Sequence, residues 1–536
     1  MTLAPRFLVN LWAGFHVARF GRRMRAPGGG VKEQRKIFSR LLASAAATEQ
    51  GRALGLGPAT TYARFRETVP PRGYDHFEPL IARMAAGEAG VLVPGRCRFF
   101  VKTAGTSGPG FKIFPVPEAM FAHYRAGLQD AWFHYAHRIG HSAVFLGRHV
   151  QIGASTSLTE AKGAYRTSLD GILTRCLTPW VQANLRSPPA EVAKMPEGAE
   201  KTDAIARTML GRDVTLVAGT PALLCALALA AREAAGTDQM PVAHLKAVWP
   251  NLECCIHTGA PLGLFGETLR ATLGPTVHLH EIYAAAEGII AAQDGGTPAG
   301  LRLLTDAGVF FEFLPLSSYH ESTVERAGPL CLPLEKISAG TDYVPVITTP
   351  AGLCRYVTGD IVRFVSVDPP RLQFVGRAAL QLDSLGGHGS ERDLTETLLA
   401  VCARNGWHPI AFHVAPYVQR VAAGQVIHVH EWWLELRTHS VKTPTANVLG
   451  PELDAELSRR NPDYAARRTQ NLLGPPQLRL VMPGVFDRWA REQHKTASAS
   501  KLPRCRPDRL IADQLAALAP FHQPVIAPAS TGVAKA

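Results

Sequence analysis

Lys102-Thr-Ala-Gly-Thr-Ser-Gly-Pro-Gly-Phe-Lys-Ile-Phe-Pro115 gathers three hydroxyl side chains and three glycines into one short loop. Gly105 and Gly110 have the spacing of a Walker A loop, but Phe111 stands where that motif requires lysine, and Lys112 comes one residue late. No third glycine completes G-x-G-x-x-G after Gly108 and Gly110, so the dinucleotide fingerprint fails as well. Another kind of phosphate loop remains. Its glycines turn backbone N–H groups toward an anion, Thr103, Thr106 and Ser107 add hydroxyl donors, and Lys112 adds charge. A surface turn rich in Gly, Thr and Ser has the same composition, so the loop alone leaves both readings open.

Two further stretches bear on the choice. In His280-Glu-Ile-Tyr-Ala-Ala-Ala-Glu-Gly-Ile289, a short strand runs into small residues, and Tyr283 and Glu287 stand four positions apart. An aromatic ring and a carboxylate are thereby held near one crevice, where Tyr283 can stack a base and Glu287 can hold Mg²⁺ against phosphate oxygens. Taken alone, a core tyrosine and a capping glutamate fit the stretch equally. Thr348-Thr-Pro-Ala-Gly-Leu-Cys-Arg-Tyr-Val-Thr-Gly-Asp360 ends in Gly359-Asp360 at the start of a strand, where a carboxylate can accept two ribose hydroxyls.

In this order, T-x-G-T-S-G followed by K-x-x-P, then Y-x-x-x-E-G, then G-L-x-R-Y-x-x-G-D resembles the adenylate-forming superfamily of acyl ligases and luciferases. It is most similar to the acyl acid amido synthetases, the auxin-responsive family that conjugates plant hormones to amino acids and has bacterial relatives. Matching segments run along nearly the whole chain, from Ile81-Ala-Arg-Met-Ala-Ala-Gly-Glu88 through Trp249-Pro-Asn-Leu252 to Lys501-Leu-Pro-Arg-Cys505.

The resemblance implies a role for each matching position. Thr103, Gly105, Thr106, Ser107 and Lys112 fall on the triphosphate loop, Tyr283 and Glu287 on the adenine and magnesium motif, and Asp360 on the ribose aspartate. Arg377 falls on an arginine near the hinge, and Lys501 on the C-terminal lysine that stabilises charge on the reacting carboxylate and α-phosphate. The implied reaction uses ATP and Mg²⁺: a carboxylate becomes acyl-AMP, and an amine, expected to be an amino acid, then takes the acyl group. Catalysis would rest on placing two anions together and neutralising them. A helix holding Phe121, Tyr124, Trp132, Phe133 and Tyr135, with the segment 151–180, is expected by the same resemblance at the acyl pocket. An aromatic stripe of that spacing also describes core.

Three positions depart from the family pattern. Ala286 stands where Ser usually precedes the motif glutamate, Ala104 replaces a frequent Ser, and the G-E-K-x-x-E segment is only approximated by residues 389–396. A nucleotide-binding chain without turnover therefore stands as an alternative, as does a ligase with a thiol acceptor.

The expected fold class is α/β: a large N-terminal adenylate-forming domain, residues 1–378, of β-sheets with flanking helices, and a smaller mobile α+β domain, residues 379–536. Helical spacing covers 33–47 and 118–138, and β-rich runs cover 214–217, 308–313, 343–348 and 361–367. The glycine cluster 386–389 reads as the linker, followed by a helix at 391–404, a strand at 426–436, a helix at 451–468 and a strand at 477–482.

With 536 residues, 46% hydrophobic and 19% charged, the chain has ample material for more than one core, which excludes a disordered or collagen-like chain. A net charge of +13 favours anionic partners. No nucleic-acid motif appears, and the expected partners are a small carboxylic acid and an amine. Nine scattered cysteines without C-x-x-C spacing indicate neither a disulfide scaffold nor a zinc cluster, and a cytoplasmic setting is expected. The pairs His278/His280 and His428/His430 read as ordinary strand histidines. Residues 1–32 contain no acidic residue, and their apolar run falls short of the roughly 20 residues a spanning helix needs. Two uses of this basic amphipathic segment fit: docking on the body, or weak contact of residues 1–30 with a membrane surface. Residues 520–536 read as a loose tail.

Overall fold

The computed structural model describes residues 6–24, 29–104, 111–236, 242–259, 262–296, 299–384, 387–420, 426–437, 445–493 and 502–519. The chain forms two compact units, one of residues 1–262 with 267–374 and the other of residues 263–266 with 375–536.

The first unit is built on a 13-stranded mixed sheet whose two halves follow different rules. In one half, Arg186–Ser187, Arg148–Gln151, Val214–Gly219, Cys254–His257 and His278–Ala285 run parallel side by side. Parallel strands need crossovers, and helices such as Pro221–Ala235 supply them, so the central strands Val214–Gly219 and Cys254–His257 are buried nearly throughout. Leu224, Leu227, Trp249 and Leu269 share one core with these strands. In the other half, Gly288–Gln293, Leu301–Leu303, Phe310–Pro315 and Asp342–Thr348 are antiparallel to their partners. A separate four-stranded sheet pairs Phe99–Ala104 with Phe111–Pro115.

The runs expected at 214–217, 308–313, 343–348 and 361–367 are strands Val214–Gly219, Phe310–Pro315, Asp342–Thr348 and Asp360–Val367. Glu118–Ile139 is a helix, and of its aromatic stripe Phe121, Tyr124 and Tyr135 are buried in the core while Trp132 and Phe133 pack half-buried against it.

In the second unit, His408–Arg420 and Val426–Arg437 form a long antiparallel pair, with Gln477–Val481 parallel to the latter. Alternation along Val426–Arg437 serves two cores: Trp432 and Leu434 pack with the helices Glu391–Asn405 and Ala446–Arg460, while Trp433 packs with Phe486, Trp489 and Leu515. Two expectations need correction here. The single helix at 451–468 is two helices, Ala446–Arg460 and Pro462–Thr469, because Pro462 cannot continue a helix and Asn461 instead caps the next one by accepting from the Tyr464 N–H at 3.0 Å. Within the glycine cluster read as a linker, Gly387–Gly389 is a strand paired with Leu382–Ser384. The strand His408–Arg420 escapes sequence reading because Pro409 and Pro416 argue against a strand, yet it lies at the sheet edge, where a missing N–H is tolerated.

All nine cysteines are free, and eight are buried. His280 is a buried strand histidine whose Nε2 faces the Ala131 carbonyl at 3.0 Å, and among the described residues no cluster of three or more His, Cys, Asp or Glu side chains could hold a metal. The tail at 520–536 lies outside the described residues.

Candidate active site

The strand His278–Ala285 ends at the carboxyl edge of the parallel half and turns back as Gly288–Gln293, with Ala285 paired to Gly288. Ala286 and Glu287 form the tip of this turn. Ligand sites of open α/β sheets gather at that edge, because the strand ends and their loops leave a crevice there.

The tip is held from the helix Glu118–Ile139. Tyr124, fully buried, donates its hydroxyl to the Ala286 carbonyl at 2.5 Å. His123, also buried, accepts from the Ile289 N–H at Nε2 (3.0 Å) while its Nδ1 meets the Ala307 carbonyl at 2.7 Å. That pattern requires the neutral ring with hydrogen on Nδ1, and burial lowers the His123 value to about 4, which keeps it neutral. A Cβ at Gly288 would stand 2.8 Å from His123 Nε2, so the glycine after Glu287 is needed for this close approach.

Asp360 opens the strand Asp360–Val367, and Gly359 before it has φ +75°, a left-handed turn that favours glycine. Tyr283 donates its hydroxyl to Asp360 Oδ2 at 2.5 Å, and its ring meets Phe374 edge-on at 5.9 Å. Four residues earlier, Tyr356 is fully buried and points its hydroxyl at Glu287 Oε1, 3.4 Å away. Burial, and then the Glu287 and Asp360 carboxylates, push the Tyr356 hydroxyl well above its ordinary range, so it stays protonated and donates. Tyr283 and Glu287 from one stretch of sequence, and Tyr356 and Asp360 from another, thus form two cross-linked pairs, Tyr283 with Asp360 and Tyr356 with Glu287.

The loop segment is brought to the same wall. Thr103 sits opposite Lys112 in the pairing of Phe99–Ala104 with Phe111–Pro115. Tyr74 accepts from the Ile113 N–H at 2.8 Å and packs on Phe114, which in turn packs on Tyr356. The Lys112 ammonium lies 5.2 Å from the Tyr74 ring centre. Gly105, Thr106 and Ser107 lie outside the described residues, as does Lys501. Arg377 closes the strand Pro370–Arg377 and belongs to the second unit.

Sequence reading missed His123, Tyr124 and Tyr356 as supports of the site. Tyr356 stood inside the quoted G-L-x-R-Y motif; His123 and Tyr124 were indistinguishable from any aromatic stripe until a helix packed beneath the turn.

These donors suit magnesium and a nucleotide. Mg²⁺ is held by one or two carboxylates with substrate phosphates completing its shell, and Glu287 offers one hard oxygen donor. Asp360 offers an acceptor for sugar hydroxyls and Tyr283 a ring for a base.

Solved structures show the same architecture. The AtGH3.15 acyl acid amido synthetase in complex with 2,4-DB aligns with a TM-score of 0.69 at 18% identity, covering 92% of this chain and 94% of that one. A 2-hydroxyisobutyryl-CoA ligase in its postadenylation state aligns with a TM-score of 0.55 at 13% identity, covering 91% and 92%. The fold is therefore that of the adenylate-forming ligases. Within that class the chain belongs to the GH3 family, whose N-terminal, central and C-terminal domains match residues 30–277, 302–377 and 396–509. Among curated relatives, the indole-3-acetic acid-amido synthetase GH3.8 of Oryza sativa subsp. indica is 25% identical over 48% of this chain and 44% of its own length. The probable indole-3-acetic acid-amido synthetase GH3.12 of Oryza sativa subsp. japonica is 26% identical over 58% and 55%. The alignment with these two thus spans about half of their length.

Proposed function

We propose that this chain is a ligase that activates a carboxylic acid with ATP as acyl-AMP and passes the acyl group to an amine, with an amino acid as the favoured acceptor. The observation that supports this reading is the pairing of the Tyr283–Glu287 motif with the Tyr356–Asp360 motif through two hydrogen bonds, Tyr283 to Asp360 and Tyr356 to Glu287. In the first step a carboxylate oxygen attacks the α-phosphorus and pyrophosphate leaves; in the second the amine attacks the acyl carbonyl, loses a proton and AMP leaves. Mg²⁺, when bound, neutralises phosphate charge.

The chain's own groups do the positioning. Asp360 accepts the ribose hydroxyls, Tyr283 faces the base, Glu287 holds the metal and is itself oriented by Tyr356. Thr103 with Gly105, Thr106 and Ser107 cradles the phosphates, Lys112 and Arg377 add charge, and Lys501 stabilises the charge that develops between carboxylate and α-phosphate. The functional division is placed at residues 378/379. The compartment is proposed as cytoplasmic, supported by eight buried free thiols; among the described residues no helix is long and apolar enough to cross a membrane.

The test is incubation with ATP, Mg²⁺ and a panel of aliphatic and aromatic acids, with hydroxylamine trapping the adenylate. AMP and hydroxamate formed together support the proposal, and a panel of amino acids against coenzyme A identifies the acceptor. A second reading, nucleotide binding without turnover, is favoured by Ala286, a buried residue with no hydroxyl to offer. It predicts a rise in melting temperature with ATP and no AMP from any acid.

A further inference from the structure

The first helix, Arg6–Met24, has two apolar faces, and the body uses only one. Val9, Ala13 and Phe20 are buried, Ser142 donates to Asn10 Oδ1 at 2.7 Å, and Arg23 pairs with Asp130 at 2.6 Å. On the opposite side Phe7, Leu11 and Phe15 are 69%, 71% and 63% exposed and Leu8 is 47% exposed, while Trp12 at the edge of this face packs on Trp180, 5.7 Å between ring centres. At 3.6 residues per turn these four exposed side chains, with exposed Arg19 and Arg22, fall within an arc of about 120°. Single exposed leucines are ordinary, but four large apolar side chains in one row mark a contact surface.

We propose that this face of the first helix binds the surface of an anionic lipid bilayer. The argument rests on charge. Arg23 is paired with Asp130, but Arg19 and Arg22 lie exposed on the open face, and residues 1–32 hold six basic residues and no acidic one, so the segment itself supplies no counter-charge. In a symmetric dimer this patch would meet itself and gather like charges without a counter-charge. Anionic headgroups supply that counter-charge, while the acyl boundary takes the phenylalanines and leucines, which are side chains suited to that depth. No described helix spans a membrane, so the helix lies along the surface.

The test is flotation of the full chain with phosphatidylcholine vesicles, with and without phosphatidylglycerol. Binding is expected to be at least about tenfold stronger to the anionic vesicles and to weaken with salt. Leu11→Glu with Phe15→Glu, and separately Arg19→Glu with Arg22→Glu, are each expected to lower it by about tenfold or more, with the melting temperature held because all four side chains are exposed. Equal binding to both vesicle types, or binding unmoved by either pair of substitutions, overturns the proposal. So does a lipid-free dimer that Leu11→Glu with Phe15→Glu disperses, which would make a second copy the occupant.

Discussion

The Tyr283 hydroxyl rests on Asp360 Oδ2 at 2.5 Å, joining the strand His278–Ala285 to the strand Asp360–Val367 across 77 residues of sequence. It ties the ring proposed to face the base to the carboxylate proposed to hold the ribose. Replacing Asp360 by Asn removes a charged acceptor, an interaction worth about 1.5–3 kcal/mol, so the KM for ATP is expected to rise roughly 10–100-fold. Tyr283→Phe keeps the ring and is expected to do less. Initial rates at varied ATP check both.

His123 supports the Glu287 turn from beneath. His123→Ala leaves the Ile289 N–H and the Ala307 carbonyl without their partner, at a cost of about 1–3 kcal/mol for a buried unsatisfied group. Urea unfolding is expected to show that loss, and the Mg²⁺ concentration for half-maximal activity is expected to rise because Glu287 loses its fixed position.

The Arg355 and Glu312 side chains are fully buried and joined by two bonds of 2.9 and 3.0 Å. Tyr62 adds a third bond to Glu312, and Arg355 also donates to the Val69 and Gly328 carbonyls. Burial raises the Glu312 carboxyl, and Arg355 offsets part of that rise. Glu312→Gln strands a buried guanidinium and is expected to cost about 3–5 kcal/mol by calorimetry or denaturant unfolding.

Burial also sets the response to acid. His123, His149 and His257 in the first unit, and His413 and His430 in the second, are all lowered by burial to about 4 from the ordinary 6.5. As pH falls from 6.5 toward 4, the unfolded chain takes up protons that the folded chain refuses, so stability falls with pH through that window and levels off below it. Melting temperatures measured between pH 7.5 and pH 4 are expected to decline from about 6.5 downward. His413→Gln and His430→Gln are expected to shallow the slope.

Lys501 is the group proposed to meet charge between the reacting anions. Lys501→Ala is expected to lower AMP formation by about 10²–10³-fold, as loss of one charge-stabilising donor does elsewhere, with the melting temperature unchanged. Single-turnover assays of adenylation and of acyl transfer would separate its effects on the two steps.

Four strands of the first unit were legible as β-rich runs because buried strands carry their own signal: Val214–Gly219 and Asp342–Thr348 are apolar almost throughout. The helix break at Asn461-Pro462 and the edge strand His408–Arg420 were not, since each turned on proline, whose meaning depends on whether its nitrogen faces a partner. The motifs holding Tyr283, Glu287 and Asp360 stood out in the sequence because each sets a polar side chain beside a glycine, Gly288 or Gly359, with positive φ. His123, Tyr124 and Tyr356 act through groups 69 to 184 residues away, and no local pattern records such a partner.

By itself, then, the sequence determined the periodicities that make helices and strands, the glycine turns at Gly288 and Gly359, and the ordered motifs that resemble those of the family. These are local properties, set by backbone sterics and by the spacing of apolar side chains. The tertiary structure alone decided which buried phenols and which neutral imidazole hold the site in shape, and which face of the first helix is left open. Hydrogen bonds between distant segments, and the burial that shifts a titrating group, exist only once the chain has brought those segments together.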